Sequence, residues 1–352
     1  MSFSGIESVT RTFIENGGFF PLAVKHRDKV FVFCRTGAGH LGRTGAITVL
    51  ASSDGTGWER RGTISKENTD VRNPSAFIFP DGKMLLAAYK YNAYDEKGFA
   101  APAKYKEPYH YDTLVYSSGD GGFTWTEVQA DFSLVIAKIG KASPHGAMFM
   151  HDNRLLMPAY NREGAFLLGS KDKGLSWEIY SQIGAAGMQE PYVIETQGKG
   201  LLAVMRTSDK KWAKATVISR FTGSEWTEPE AITEPMQHPA SLLLLQEGRV
   251  LLTYGDRNHD QNRILLKLSS DNGRTWSREM QIGENFGTCD FGYPSTVEMA
   301  SEKLLTVFYV NKSEEPYYFF FNNPVLYSTE YVKGYYYLYS LEREKGGFIH
   351  IV

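Results

Sequence analysis

One line of sequence recurs six times along the 352 residues: a proline-led segment that runs, past a turn, into a short apolar stretch. It reads FFPLAVKHRDKVFVFCR from Phe19, RNPSAFIFPDGKMLLAAYK from Arg72 and SPHGAMFMHDNRLLMPAYN from Ser143. It returns as QEPYVIETQGKGLLAVMR from Gln189, QHPASLLLLQEGRVLLTYGDR from Gln237 and GYPSTVEMASEKLLTVFYV from Gly292. Pro21, Pro74, Pro144, Pro191, Pro239 and Pro294 mark a period of about 50 residues with one long insertion, the signature of a repeat architecture. Each copy has the form of a β-hairpin: two runs rich in Val, Leu, Phe and Tyr flank turn residues such as Pro80-Asp81-Gly82 or His151-Asp152-Asn153. No segment longer than about ten residues keeps a 3.6-residue apolar period without a breaker, which excludes a helical repeat.

A second line supplies a third strand and its turn. Ser118-Gly-Asp120-Gly-Gly122-Phe-Thr124-Trp125 is matched by Ser170–Trp177 and Ser269–Trp276, all of the form S-x-D-x-G-x-[ST]-W. Ser52–Trp58 is one residue short, and Ser219–Trp226 keeps Ser, Gly and Trp but lacks the Asp. Five of the six tryptophans belong to this motif. Its chemistry is that of a hairpin turn: the carboxylate accepts backbone N–H groups, glycine takes positive φ, and the indole packs the turn down.

These motifs are Asp boxes, and with the proline-led hairpins the chain resembles the sialidase-like (neuraminidase) superfamily of propellers over nearly its whole length. The resemblance implies an all-β fold, a six-bladed β-propeller of four-stranded antiparallel blades occupying residues 1–352 as one domain. The sixth blade has no intact box; Tyr335–Ser340 is expected as its third strand. The amino-terminal Ser8–Phe13 is expected to complete it, with Phe348–Val352 as the competitor. Asn92–Tyr111 and Asn311–Lys333 exceed what a blade needs and are candidate loops beside a site.

Radial repetition brings equivalent positions into rings around the axis. The residues at the prolines are Phe20, Asn73 with Arg72, Ser143 with His145, Glu190, His238 and Tyr293. The ends of the second strands are Arg35, Tyr89 with Lys90, Tyr160, Arg206, Tyr254 with Arg257, and Tyr309. Strand bodies stay alike while these positions diverge into an acid, imidazoles, phenols and guanidiniums, so this face is the candidate site, a solvated rim of ion pairs being the bland alternative.

The resemblance assigns roles. Sialidases use a tyrosine nucleophile, an exception among glycosidases. Tyr293 in GYPS looks like that nucleophile, Glu190 in QEPY like its proton acceptor, and Arg206 like one member of an arginine triad. Three departures accompany the match. Phe19-Phe20-Pro21 stands where the family opens its first blade with an arginine, Gln237-His238-Pro239 replaces the fifth-blade arginine, and Thr36–Ala51 holds no Asp or Glu where a catalytic aspartate is expected. Arg35, Arg72 and Arg257 are candidates to rebuild an anion pocket, with His238 and Tyr309 as further substrate contacts. Asp70 and His40 are the candidate acid/base groups, and Asp290 is another acid near Tyr293.

The expected activity is therefore a sialidase-like exo-glycosidase releasing a terminal acidic sugar, and the alternative is a non-catalytic glycan-binding propeller. Carbohydrate is the expected partner. A net charge of −2 argues against nucleic acid. No apolar run approaches the roughly 18 residues of a membrane helix, and the amino terminus lacks a secretory signal, so a cytoplasmic location is expected. No cofactor or metal is expected: His40, His145 and His238 lack metal-type spacing. Cys34 and Cys289 read as buried thiols, not as a disulfide framework. The aromatic runs Tyr317–Phe321 and Tyr335–Tyr337 read equally as sugar-stacking platforms or as packing.

Overall fold

A computed structural model describes residues 6–38, 42–92, 94, 111–208, 213–258, 262–283, 290–299, 303–311 and 336–345. His40, Cys289, Tyr317–Phe321, Phe348–Val352 and most of the two candidate loops lie outside the described residues.

The strands form six antiparallel sheets, five of them built from chain neighbours in order from the axis outward. Blade one is Phe19–His26, Lys29–Thr36, Ala46–Ser52 and Glu59–Ile64; blade two is Asp70–Ile78, Met84–Tyr91, Tyr111–Ser118 and Thr126–Val128. The innermost strands of blades two, four, five and six are Asp70–Ile78, Met188–Glu195, Gln237–Leu244 and Phe291–Glu298. Each innermost strand packs on those of the neighbouring blades, and blade six packs back on blade one, so the ring is closed. The chain is a β-propeller.

Closure uses the amino terminus, as the sequence predicts. Blade six runs Phe291–Glu298, Lys303–Asn311, Tyr336–Lys345 and, outermost, Ile6–Asn16, which pairs antiparallel with Tyr336–Lys345. One sheet thus joins the two ends of the propeller, and the Ala23 N–H reaches across to Ser295 Oγ at 2.9 Å to tie blade one to blade six.

The Asp boxes are turns on the rim. Asp54 Oδ1 accepts the N–H groups of Thr56 and Gly57 at 2.8 Å each, and these donors hold its carboxyl well below the usual range. Asp120, Asp172 and Asp271 repeat the pattern with the two residues that precede each Trp. In the three full boxes, and in the shortened one through Gly55, the indole N–H donates to a box glycine carbonyl at 2.9–3.1 Å. The degenerate box compensates differently: Trp226 Nε1 donates to Ser181 Oγ of the preceding blade at 3.0 Å.

At the axis a second regularity appears. Proline has no N–H for the ladder, and in five blades the strand bulges where it occurs, with register shifts at Phe19/Leu22, Arg72/Ser75, Gln189/Tyr192, Gln237/Ala240 and Gly292/Ser295. In four of them the residue before proline has left-handed backbone: Phe20 at φ 49°, Asn73 at 53°, Glu190 at 51° and Tyr293 at 50°. Non-glycine residues rarely adopt this conformation, and its clustering at one place marks a functional hypothesis.

Trp177 is the most buried of the box tryptophans (2% exposed) and stacks on Phe132 at 5.9 Å. Trp177→Ala is expected to cost about 3–5 kcal/mol, read from the denaturant midpoint. A loss below about 1 kcal/mol would show that the boxes do not anchor the blades.

Candidate active site

The bulges turn side chains toward the axis, and one hydrogen bond crosses the mouth. Tyr293 Oη, from blade six, donates to Glu190 Oε1, from blade four, at 2.6 Å. Glu190 Oε2 lies 3.4 Å from Arg206 Nη1, whose Nη2 donates to Gln189 Oε1 at 3.0 Å. The structure therefore brings Tyr293, Glu190 and Arg206 together. Gln189, which orients Arg206, was not singled out in the sequence although it directly precedes the glutamate.

The electrostatics place the shared proton. Burial pushes the Glu190 carboxyl up, but Arg206, His145, the Tyr293 hydroxyl and Arg257 together outweigh it and hold the group below its ordinary value. Burial, and then the Glu190 charge, push the Tyr293 phenol well above its ordinary value. The pair is thus a neutral phenol donating to a carboxylate.

Two more cations border the pair. The Arg257 guanidinium lies 5.8 Å from the Tyr293 ring centre and donates to the Phe291 carbonyl at 2.6 Å. Arg72 lies 5.2 Å over the Phe20 ring and 3.5 Å from Asp70 Oδ2, with its side chain 12% exposed; Arg206 is 27% exposed. Phe20 meets Tyr293 edge-on at 4.8 Å, so an aromatic wall stands where the resemblance implies an arginine. His145 and Tyr160 complete the rim, and Asn73 Nδ2 donates to Ser143 Oγ at 3.0 Å. Beneath the mouth the axis narrows to a cavity of ≈30 Å³ bordered by Pro21, Pro74, Pro239, Pro294 and Tyr192, room for about one water.

Other expected residues are placed differently. Arg35, expected to hold a substrate anion, and Asp70, expected as acid/base, hold each other instead: Nε–Oδ1 is 2.7 Å, Nη2–Oδ2 is 3.0 Å, and both side chains are 0% exposed. Asp70 Oδ2 also accepts the Gly42 N–H and the Tyr94 hydroxyl, each at 3.2 Å. A carboxylate saturated by donors and closed from solvent is a structural ion pair, so both assignments are corrected. Tyr309, expected as a substrate contact, is buried and donates to Asp290 Oδ1 at 2.6 Å; Asn311 Nδ2 takes the other oxygen at 2.8 Å. That correction applies equally to Asp290 as a replacement acid. Tyr254 belongs to no ring: its hydroxyl goes outward to Glu279 at 2.6 Å. His238 stands between Glu190 and Tyr293 in blade order, 3% exposed, with neither ring nitrogen hydrogen-bonded among the described residues. Burial, with Arg257, Arg206 and Lys214 nearby, holds it neutral.

Among the described residues no group of three or more His, Cys, Asp or Glu side chains could hold a metal ion. Cys34 is buried, and burial pushes its thiol up to about 12, which suits packing and not nucleophilic chemistry.

The pattern of the BNR repeat-like domain family matches residues 37–305. A curated sialidase of Bacteroides fragilis is 26% identical over 217 residues, 56% of this chain; the chain spans only 39% of that protein's length. A crystal structure of a protein of unknown function from Dyadobacter fermentans aligns with a TM-score of 0.76 at 20% identity, covering 98% of this chain and 100% of that one. The sialidase of Trypanosoma rangeli in complex with the inhibitor DANA aligns with a TM-score of 0.65 at 14% identity, over 95% of this chain and 57% of that one. A Streptococcus pneumoniae sialidase aligns at 0.65 with 12% identity, over 93% and 68%. These structures share the fold.

Removing Asp70 would strand the buried Arg35. Asp70→Ala is expected to destabilise the protein by about 3–5 kcal/mol in chemical denaturation. Unchanged stability with lost turnover would restore Asp70 to a catalytic role. The match across residues 37–305, with the Asp boxes and the sixfold ring, shows that the chain belongs to the BNR repeat-like domain family.

Proposed function

We propose that this propeller is a sialidase-like exo-glycosidase acting on a terminal acidic sugar, with carbohydrate as its partner. The observation that carries the reading is the 2.6 Å hydrogen bond from Tyr293 Oη to Glu190 Oε1, flanked by Arg206. A phenol is a poor nucleophile at its ordinary pKa and needs a base in contact; Glu190 is that base. An anomeric carbon beside a substrate carboxylate repels an anionic nucleophile, and a neutral phenol avoids the repulsion. Arg206, Arg257 and Arg72 would hold the substrate anion, Arg206 from beside Glu190 and Arg257 from beside the Tyr293 ring.

In the first step Tyr293 Oη attacks the anomeric carbon as the bond to the leaving oxygen breaks; an acid at the mouth protonates that oxygen and Glu190 takes the phenolic proton. In the second step water displaces the tyrosine, losing a proton to the same acid/base group, and Glu190 returns its proton to the departing phenolate. The named relatives support this reading: a curated sialidase matches over 217 residues, and solved sialidases share the fold.

A glycan-binding propeller without turnover is the second reading. The specific observation behind it is the closure of Arg35 and Asp70 on each other, which withdraws one cation and one acid from the mouth.

Glu190→Gln separates the two. The amide preserves shape and the backbone conformation but accepts no proton, so turnover of a fluorogenic sialoside should fall about 100- to 10,000-fold with an unchanged melting temperature. Wild-type-like rates in the variant would end the assignment, and binding without turnover by the parent protein would favour the second reading.

A further inference from the structure

With Asp70 sequestered, a proton donor for the leaving group has to come from elsewhere on the rim. We propose that His145 is the acid/base residue of this site, giving a proton to the leaving oxygen and later taking one from water. The proposal rests on the glycosidase reading and adds a catalytic residue to it.

Three observations carry it. The first is position: the His145 ring lies 5.9 Å from the Tyr293 ring, centre to centre, inclined at 61°. The second is access. His145 is half-buried at the mouth, whereas His238 and Asp70 are closed off. Of the other titratable groups beside Tyr293 and Glu190, Tyr160 and Tyr309 are phenols that burial pushes up, Tyr160 to about 12, and the remainder are arginines.

The third is the way the fold presents it. Five innermost strands run unbroken through the proline, but that of blade three is split into Ser143–Pro144 and Phe149–His151. The chain leaves the ladder just after the proline, held by His145 N–H to Pro158 O at 3.0 Å and Met148 N–H to Ala76 O of blade two at 3.1 Å. Gly146 has φ 74°, and a Cβ there would approach the Tyr192 ring to 3.0 Å, so the detour is built for glycine. The other blades aim the residue before proline at the axis; the break lets blade three aim the residue after it.

The chemistry balances. As the Tyr293 Oη–C bond forms and the glycosidic C–O bond breaks, the protonated imidazole gives its N–H proton to the departing oxygen and becomes neutral, while Glu190 holds the phenolic proton. In the return step neutral His145 takes a proton from the attacking water, whose oxygen bonds to the anomeric carbon as the C–O bond to Tyr293 breaks. Glu190 then reprotonates the tyrosine. The charged and titratable groups facing His145 are Glu190, Arg206, Tyr160 and Tyr293. Burial lowers the imidazole to about 4, with Glu190 pulling up and Arg206 pushing down. Its protonated fraction therefore falls as pH rises past that value, and turnover that needs the acid should fall with it.

The test compares two probes, 4-methylumbelliferyl N-acetyl-α-neuraminide, whose leaving group needs little protonation, and 3′-sialyllactose, whose leaving group needs it. His145→Ala and His145→Gln should lower kcat/KM on sialyllactose about 100- to 10,000-fold and on the aryl sialoside less than about tenfold. Azide should accelerate release of the sugar from the variants, and their melting temperatures should match the parent. Equal losses on both probes, or no loss on either, would show that His145 only packs against Tyr293 and would overturn the proposal while leaving the nucleophile assignment intact. Turnover of neither probe by the parent protein overturns both.

Discussion

The structure depends on a single backbone constraint repeated around the axis: proline placed where an innermost strand would otherwise continue its ladder. Because proline has no N–H to give, the strand bulges, and in four blades the preceding residue turns to φ near 50°. That conformation costs energy for Phe20, Asn73, Glu190 and Tyr293, and the six packed sheets hold it. The result is a mouth whose side chains come from blades far apart in the chain; Tyr293 and Glu190 are 103 residues apart in sequence and share a hydrogen bond.

Carboxylates in this protein are told apart by what surrounds them. Asp70 is saturated by Arg35, Gly42 and Tyr94 and closed from solvent. Asp290 is held by Tyr309 and Asn311. The box aspartates are rim turns whose oxygens are taken by backbone N–H groups. Glu190 alone of these accepts from a phenol at the mouth while a guanidinium only 3.4 Å away stabilises its charge. The site is therefore distinguished by the partners of its acid, not by the presence of acids.

Much of this was legible in the chain. The proline period and the Asp boxes made the repeated hairpins legible, because each motif has a local physical cause that survives without knowing the rest of the fold. The propeller followed from the resemblance those motifs carry. Closure by the amino-terminal strand was one of two readings the chain left open, Phe348–Val352 being the other, and the pairing of Ile6–Asn16 with Tyr336–Lys345 is what places it. Ring equivalence put Tyr293, Glu190 and Arg206 at one mouth, and the family resemblance singled them out there. What was not legible was which ring members face inward to solvent. Arg35 and Asp70 occupy plausible positions and differ from Arg206 and Glu190 only in pointing at each other across a blade boundary, which spacing cannot reveal. Tyr254 fails for another reason: its ladder partner is Ala240, beyond the bulge, so counting from the proline misplaces it. His145 was visible as a ring residue, but the strand break that presents it depends on Gly146 against Tyr192, a tertiary contact.

The central claim is that Tyr293 is the nucleophile, and covalent labelling tests it most directly. Incubation with 2,3-difluorosialic acid followed by peptide mass spectrometry should find the sugar on the peptide carrying Tyr293, and the label should vanish in Tyr293→Phe. A label on another residue, or an unlabelled protein that still binds the sugar, would contradict the account.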